Sequence, residues 1–294
     1  MFEVRRVSNV EEVYDNHIAF GIKENWNGSY GDALSIYSQD PKGFFLGLVD
    51  HKPIAAIQIA KYDSSYAHIA TYIVLKEYRK MGYGKKLWDR AWEHVCKDDI
   101  TIGLDGVEDM QGAYQNLGFV PTFKSCRYRS TAGQIAEISK DLNRVDIIIK
   151  NARNVDFEDL VTFDTKHVGA PRSVFLKNMI ERQDAHSAVA FDPSGRMIGF
   201  AILRQSIDGY KFAQFYAERT DVAQELFINL CERVPQKSVF IFIDQPIVSR
   251  GNKDLHEIFN MELIARCARM LYNPSDAFKN LPLDNIYGTI WEFG

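Results

Sequence analysis

The sequence predicts an α+β fold, in which a mixed and mainly antiparallel sheet is flanked by helices, and it predicts two such domains in tandem. β-rich runs alternate along the chain with runs that carry apolar residues at helical spacing. The order of these runs in residues 1–138 returns loosely in residues 139–294. A length of 294 residues allows each domain to bury a core of its own.

The first domain, residues 1–138, is predicted to hold three antiparallel strands in series. The turn Asp50–Pro53 and the pair Ser64 and Ser65 separate these strands. After Gly84 the apolar residues change to helical spacing, which predicts a helix over the sheet. The predicted strands are 2–7, 43–49, 53–62, 66–75, 100–104 and 119–128. The predicted helices are 9–23, a helix that begins near Lys85, and 110–116.

The second domain, residues 139–294, is predicted to be a degenerate copy of the first. Its predicted elements are strand 146–151, helices 157–167 and 173–182, a hairpin over 187–204, strand 212–217 and helix 221–234. Segment 212–234 holds the place that segment 72–95 holds in the first domain. Glu218, Arg219 and Thr220 stand where the first domain has glycines. We therefore expect this copy to lack a phosphate-binding loop.

The composition argues against several classes of protein. A net charge of −4 arises from 35 basic and 39 acidic side chains without a basic block, so nucleic acid is not expected as a ligand. The four cysteines lie too far apart for a metal site or a disulfide framework, so we expect reduced thiols and no metal. The sequence shows no membrane-length apolar run and no leader pattern. We expect a cytoplasmic protein without a membrane partner.

The loop Arg79–Gly84 lies between a predicted strand and a predicted helix. Gly82 and Gly84 let backbone N–H groups approach a diphosphate, and the N-terminus of a helix favours an anion. The cations Arg79, Lys80, Lys85 and Lys86 flank this loop. Neither the three-glycine dinucleotide fingerprint nor the Gly-Lys-Ser/Thr phosphate loop is present. The pattern predicts a pyrophosphate site whose binding residues are Arg79, Lys80, Met81, Gly82, Tyr83, Gly84 and Lys85.

This loop resembles the signature of the GNAT acyltransferases, which is Gln/Arg-x-x-Gly-x-Gly/Ala between a strand and a helix. Residues 79–84 match it at every fixed position, and residues 114–119 are similar to the Tyr-x-x-x-Gly-Phe element of that family. The resemblance covers most of residues 1–135. It implies that acetyl-CoA is the cosubstrate and that the strand before the loop diverges from its neighbour. It also implies that the backbone of Ile73, Val74 and Leu75 pairs with the pantetheine arm.

A narrower resemblance is to a tandem subgroup of that family, in which a divergent second GNAT-like domain follows the first. In the first half it rests on residues 25–27, 40–45 and 104–106. In the second half it rests on Asp164, on 169–172 and on the ending 269–294. The second set is a looser match and implies little about chemistry.

Two side chains are candidates for proton transfer. Tyr114 stands where the family commonly has the acid that protonates the departing thiolate, although a tyrosine on a short helix is also a common packing residue. His68 precedes Val74 by six residues, so strict alternation would put both side chains on one face of the sheet. An imidazole can remove an amine proton near neutral pH, but a strand histidine is more often structural.

The acceptor would be bound by the loop before the sheet. Trp26 and Asn27 could cover it, and Asp32 could pair with its ammonium group; alternatively, Trp26 fills a domain interface. Asp164, His167 and Arg172 could line the same pocket from the second domain, or they could form an ordinary helix-end charge pair with surface groups.

The predicted function is direct transfer of an acetyl or short acyl group from acetyl-CoA to an amine, expected to be a small molecule, with one CoA per chain. Two alternatives remain open from the sequence. The first is a CoA-binding regulatory or scaffold protein without turnover, because no carboxylate base is evident. The second is acylation of a protein N-terminus or lysine.

Overall fold

The computed structural model describes residues 1–96, 99–250 and 254–292. Its strands are β1 (Phe2–Arg6), β2 (Phe44–Val49), β3 (Lys52–Lys61), β4 (Tyr66–Val74), β5 (Thr101–Val107), β6 (Val120–Thr131), β7 (Ile148–Lys150), β8 (Ala185–Phe191), β9 (Met197–Ser206), β10 (Gly209–Ala217), β11 (Phe240–Pro246), β12 (Glu262–Tyr272) and β13 (Ile286–Gly288). The C-terminal residues Phe293 and Gly294, which the sequence assigns to the second domain, lie outside the described residues.

The α-helices are short and lie on both sides of the sheet. They are α1 (Val10–Glu12), α2 (Ala19–Lys23), α3 (Tyr30–Gln39), α4 (Tyr83–Trp92), α5 (Gln111–Asn116), α6 (Ala132–Ser139), α7 (Phe157–Val168), α8 (Ser173–Glu181), α9 (Thr220–Cys231), α10 (Leu255–Ile258) and α11 (Asp276–Lys279). A π-helical stretch, Val13–Ile18, joins α1 to α2. Within the described residues, none of these helices has both the length and the hydropathy needed to span a bilayer.

In the described part of the chain, all thirteen strands belong to one sheet, in the order β1-β2-β3-β4-β5-β12-β6-β11-β10-β9-β8-β7, with β13 paired to β10. The pairs β4–β5 and β10–β11 are parallel, and the other pairs are antiparallel. The predicted mixed, mainly antiparallel sheet flanked by helices is therefore confirmed.

The two halves of the chain exchange strands at the centre of this sheet. Strand β12, from the second half, lies between β5 and β6, while β6, from the first half, lies between β12 and β11. This exchange puts Arg269 of β12 opposite Asp105 of β5, and Arg127 of β6 opposite Asp244 of β11. The boundary expected between residues 138 and 139 stays a prediction, because the sheet continues through both halves.

Three apolar clusters form the core. One is shared by both halves and includes Phe44, Phe175 and Phe200. Another belongs mainly to the first half and packs Ile57 and Ile69 of the sheet against Leu87 of α4. The third is built mainly from the second half around α9. Since neighbouring residues of β3 enter different clusters, the sheet is buried on both faces.

Helix α3 has no counterpart among the predicted elements, which contain no helix between 9–23 and the strand 43–49. A reciprocal capping box starts this helix, in which the backbone N–H of Ser29 donates to the Asp32 carboxylate at 3.0 Å. Helix α6 and strands β11 and β12 also have no predicted counterpart. In β12, buried Arg269 breaks the apolar alternation by which a strand is recognised.

Candidate functional site

A cleft opens where β4 and β5 part. The two strands pair only over Tyr66–Ile69 and Thr101–Leu104, although both continue beyond. Near this end of β4, its pairing with β3 shifts in register, which marks a bulge in β4. Thr71 in this bulge has a φ of 46°. The N–H of Leu75 donates to Ile54 of β3 at 2.9 Å, so by alternation the polar backbone groups of Val74 face the cleft. At the cleft, no described strand pairs with this edge of β4; the Val74 carbonyl accepts from Arg79, and the Val74 N–H is left facing the cleft, which suits an extended ligand arm.

The glycine loop leads from this cleft into α4. Gly82 precedes the helix with a φ of 79°, and no side chain caps the first turn, which leaves N–H groups for an anion. At Gly84, a Cβ would lie 2.7 Å from the Tyr72 hydroxyl, so a larger residue would have to displace the Tyr72 side chain for the backbone to stay this close to β4. These features fit a diphosphate whose adjoining arm enters the cleft.

The cations of the loop are exposed to solvent. Arg79 donates to the Val74 carbonyl at 2.8 Å and pairs with Glu24 at 2.7 Å. Lys85 pairs with Asp89. Among the other predicted loop residues, Lys80 has a φ of 64°, the Met81 side chain is exposed, and the Tyr83 ring stacks on Phe2 at 4.5 Å. Of the strand residues, Ile73 is buried, and Val74 and Leu75 are half-buried.

Tyr114 of α5 lies in an aromatic cluster beside the cleft. Its ring centroid is 5.9 Å from that of Trp88 in α4 and 6.1 Å from that of Phe119. A Cβ on Gly106 of β5 would lie 3.3 Å from the Tyr114 ring. Burial, with a contribution from Tyr72, raises the pKa of Tyr114, so the phenol keeps its proton at neutral pH. Its role as the acid stays a prediction.

His68 of β4 is completely buried. Its Nδ1 lies 2.9 Å from the Tyr66 hydroxyl, and its Nε2 lies 3.4 Å from the Trp291 carbonyl and 3.8 Å from an Asp105 oxygen. Because a carbonyl only accepts, the partners assign the proton to Nε2 and make Nδ1 the acceptor from Tyr66. Burial, aided by Arg269, holds the pKa of His68 well below 6.5, so the ring is neutral.

The expectation that His68 and Val74 share a face of the sheet is wrong. Ile73 packs in the cluster that also holds Tyr66, two residues before His68, whereas Val74 packs in the cluster beneath α4. The bulge at Thr71 adds one residue to β4, and this inverts the alternation beyond it. His68 therefore faces the shared core, and Val74 faces α4.

Of the predicted acceptor residues, Asn27 and Asp32 contact the second half, whereas Trp26 contacts the first half. The Trp26 carbonyl accepts from Arg127 at 2.9 Å, and the Asn27 side chain accepts from the Asp208 N–H at 2.9 Å. Asp32 is fully buried between Arg182 at 2.6 Å and Arg204 at 2.9 Å. An ammonium group at Asp32 would have to displace an arginine, and all three acceptor assignments stay predictions.

Asp164, His167 and Arg172 of the second half are all buried. Arg172 pairs with Asp164 at 2.8 Å and donates to the Tyr216 hydroxyl at 3.0 Å, and His167 stacks on Tyr216 at 4.5 Å. They are therefore neither surface groups nor an ordinary helix-end pair. His167 and Arg172, together with Arg269, line a cavity formed mainly by the second half, with Phe123 from the first half, that has room for roughly one water molecule.

The second half has an equivalent cleft, which its own chain fills. Strands β10 and β11 pair only at Tyr210 and Lys211. Beyond that point β13 pairs with β10 at Phe215 and Tyr216, and Thr289 bridges to Asp244 of β11. A peptide segment thus lies where the first half has open backbone.

Sequence reasoning missed Asp105 and Arg269 as members of the site. Arg269 donates to Asp105, with an ion-pair distance of 2.8 Å, beside His68 and just past the last paired residue of β5. A signal existed, since an acidic residue, Asp105, directly follows the predicted strand 100–104. Nothing local in the sequence links that segment to Arg269, because their contact depends on the exchange of strands.

Comparisons with known proteins agree with this geometry. A model described as the acetyltransferase (GNAT) family matches residues 10–119, and one described as an acetyltransferase (GNAT) domain matches residues 160–288. The holothin acyltransferase of Pseudoalteromonas sp. (strain SANK 73390) is 30% identical over 232 residues, which are 79% of this chain and 75% of that protein.

Two solved structures share the fold of the whole chain. One, described as an acetyltransferase from Pyrococcus horikoshii, has a TM-score of 0.78 at 20% identity and covers 100% of this chain and 96% of its own. A tandem GNAT protein from the clavulanic acid biosynthesis pathway has a TM-score of 0.65 at 13% identity and covers 94% of this chain and 100% of its own. At these identities the similarity describes the fold.

Proposed function

Because this chain belongs to the GNAT acyltransferase family and carries two GNAT domains in tandem, we propose that it catalyses an acyl transfer. The first domain transfers an acetyl or other short acyl group from acetyl-CoA to the amine of a small molecule. The observation that carries this proposal is the continuity of the glycine loop with the open backbone of β4. A relative named as a holothin acyltransferase supports turnover over a purely regulatory role.

The proposed position of CoA follows from the loop and the cleft. The diphosphate lies on the N–H groups that begin α4, with Arg79, Lys80 and Lys85 near its charge. The pantetheine arm enters between β4 and β5 and pairs with the backbone near Val74, which places the thioester toward Asp105 and Tyr114. The cleft of the second half is filled by β13, which supports one CoA per chain.

The reaction needs no nucleophile from the protein. The neutral amine attacks the thioester carbonyl, the new C–N bond forms as the C–S bond breaks, and a backbone amide of β4 polarises the carbonyl. Tyr114 gives a proton to the departing thiolate, and either His68 or its neighbour Asp105, whose carboxylate is buried, receives the proton that the amine loses. Trp26, Asn27 and Asp32 remain our candidates for the acceptor side of the site.

The test is thiol release from acetyl-CoA over a panel of small amines and a set of peptides with free N-termini or lysines. We expect release with at least one small amine. Release only with peptides would favour acylation of proteins. Tight CoA binding without release on any acceptor would contradict the transfer proposal and favour a regulatory protein.

Tyr114→Phe is expected to lower kcat about 10-fold without changing the affinity for CoA. The factor is modest because a thiolate is only moderately basic and water can supply part of the proton. The control is Tyr272→Phe, which removes a phenol from the same aromatic cluster and should leave kcat unchanged. Equal losses in both variants, measured as thiol release, would assign Tyr114 to packing.

A further inference from the structure

The strand exchange builds two clusters at equivalent places in the sheet. The first cluster is His68 of β4, Asp105 of β5 and Arg269 of β12. The second cluster is Lys211 of β10, Asp244 of β11 and Arg127 of β6, joined by Glu292. In the parallel pair β4–β5, His68 lies opposite Gly103, which is two residues before Asp105. In the parallel pair β10–β11, Lys211 lies opposite Phe242, which is two residues before Asp244. In both clusters, the other half of the chain supplies the arginine.

The second cluster is fully ionic. Lys211 lies 3.0 Å from Asp244 and 2.8 Å from Glu292, and Arg127 pairs with Asp244 at 2.6 Å. Burial alone would raise the pKa of Glu292, but Lys211 and Arg127 hold it at about 2. Two cations thus face two carboxylates in this cluster, and the pKa of the Glu292 carboxyl is lowered despite its burial.

The first cluster differs where its chemistry would matter. A neutral histidine replaces the lysine, and Asp105 faces one cation, Arg269, within pairing distance. Burial raises the pKa of Asp105 to about 6, against the opposite effect of Arg269. The half that keeps the glycine loop therefore has a carboxylate that can exchange a proton near neutral pH.

Asp105 lies at the start of the cleft, and its partner Arg269 lies at the small cavity. Leu104 is the last residue of β5 that pairs with β4, so Asp105 is the first residue at the cleft. The residue is half-buried while its carboxylate is only 1% exposed, so its exposed part is backbone. Its partner Arg269 lines the cavity together with His167 and Arg172. A donor in the cleft would therefore lie close to Asp105, while the cavity beside Arg269 has room for a water molecule.

We infer that Asp105 accepts the proton of the amine, directly or through one bound water, and that Arg269 from the second half is its positioning residue. This inference rests on the proposed acyl transfer. When the C–N bond forms and the C–S bond breaks, the nitrogen loses one proton to the Asp105 carboxylate, while the thiolate gains one from Tyr114. His68 then acts through its proximity to Asp105, since its Nδ1 is engaged by Tyr66 and its Nε2, which faces the Trp291 carbonyl, lies 3.8 Å from the carboxylate.

The charged and titratable groups around Asp105 fix the expected pH dependence. From β4 these are His68 and Tyr66, and from β12 Arg269. Asp244 of β11 and Glu292 near the C-terminus act at longer range and oppose ionisation of Asp105. Because Arg269 stabilises the carboxylate, its loss must raise the pKa of Asp105. Transfer should then need a higher pH.

The decisive experiment measures thiol release by Asp105→Asn at saturating acetyl-CoA and amine, together with CoA affinity. We expect kcat to fall at least 100-fold, the usual scale for a lost proton acceptor, with CoA affinity unchanged. The matched control is Asp244→Asn, which removes the equivalent buried carboxylate from the second cluster; it should retain kcat at a pH above the acidic limb, and it should move that limb to lower pH if at all, because Asp244 opposes ionisation of Asp105. His68→Gln should lose less than Asp105→Asn; a larger loss would make His68 itself the base.

A second variant covers the case in which Asp105→Asn does not fold. Arg269→Gln should move the acidic limb of the pH–rate profile to higher pH with the same amine, which a purely structural role would not do. An unmoved profile, or full activity in Asp105→Asn, would overturn the inference while the transfer proposal stands. Absence of thiol release by the wild-type protein would instead overturn the transfer proposal itself.

Discussion

Gly82→Val is expected to lower the affinity for CoA about 100-fold while the protein stays folded. Gly82 has a φ of 79°, which valine adopts only with strain, so the peptide should rotate and redirect the N–H groups that begin α4. Loss of two charge-assisted hydrogen bonds at about 1.5 kcal/mol each corresponds to roughly 100-fold. The measurement is CoA titration by calorimetry.

The matched control for this variant is Gly195→Val. Gly195 has a φ of 85° in the turn between β8 and β9, and like Gly82 it has nothing within 4 Å of an added Cβ. Both substitutions impose a similar backbone strain, but only one lies at the proposed diphosphate site. If Gly82→Val bound CoA as tightly as Gly195→Val, the loop would not hold the diphosphate.

Asp32→Ala is expected to lower the free energy of unfolding by about 3–5 kcal/mol. Asp32 is fully buried and accepts from Ser29 at the start of α3, and it pairs with Arg182 and Arg204 of the second half. Its removal leaves the buried guanidinium groups of Arg182 and Arg204 without this carboxylate. An uncompensated buried charge is strongly destabilising. Chemical denaturation measures the effect.

The control for Asp32 is Asp184→Ala. Asp184 pairs with the same Arg182 at 2.8 Å, but its side chain is 33% exposed, so its loss should cost about 1 kcal/mol or less. An Asp32→Ala protein of unchanged stability, with a raised KM for the amine, would show that Asp32 binds the acceptor rather than the second half.

Much of the first half could be predicted because its signals are local. The glycine loop, the turn at Asp50 and the helical spacing of Leu87 and Ala91 each specify a short segment by themselves. The start of α3 also has a local signal, although the predicted elements do not include this helix: Ser29 followed by Asp32 has the spacing of a capping box.

The remainder depends on contacts that are distant in sequence. The exchange of β6 and β12 has no local signal, because it depends on pairings between residues far apart in the sequence. The bulge at Thr71 inverts the side-chain alternation of β4, and the sequence there has no glycine that would indicate a bulge. The buried charges follow from these two features, since Arg269 reaches Asp105 only through the exchange.

The most direct test of the account is a crystal structure of the protein with CoA bound. We expect one CoA per chain, its diphosphate on the N–H groups after Gly82 and its pantetheine arm between β4 and β5, with β13 still paired to β10. CoA in the second half, or at a surface away from Gly82, would contradict the assignment of the site.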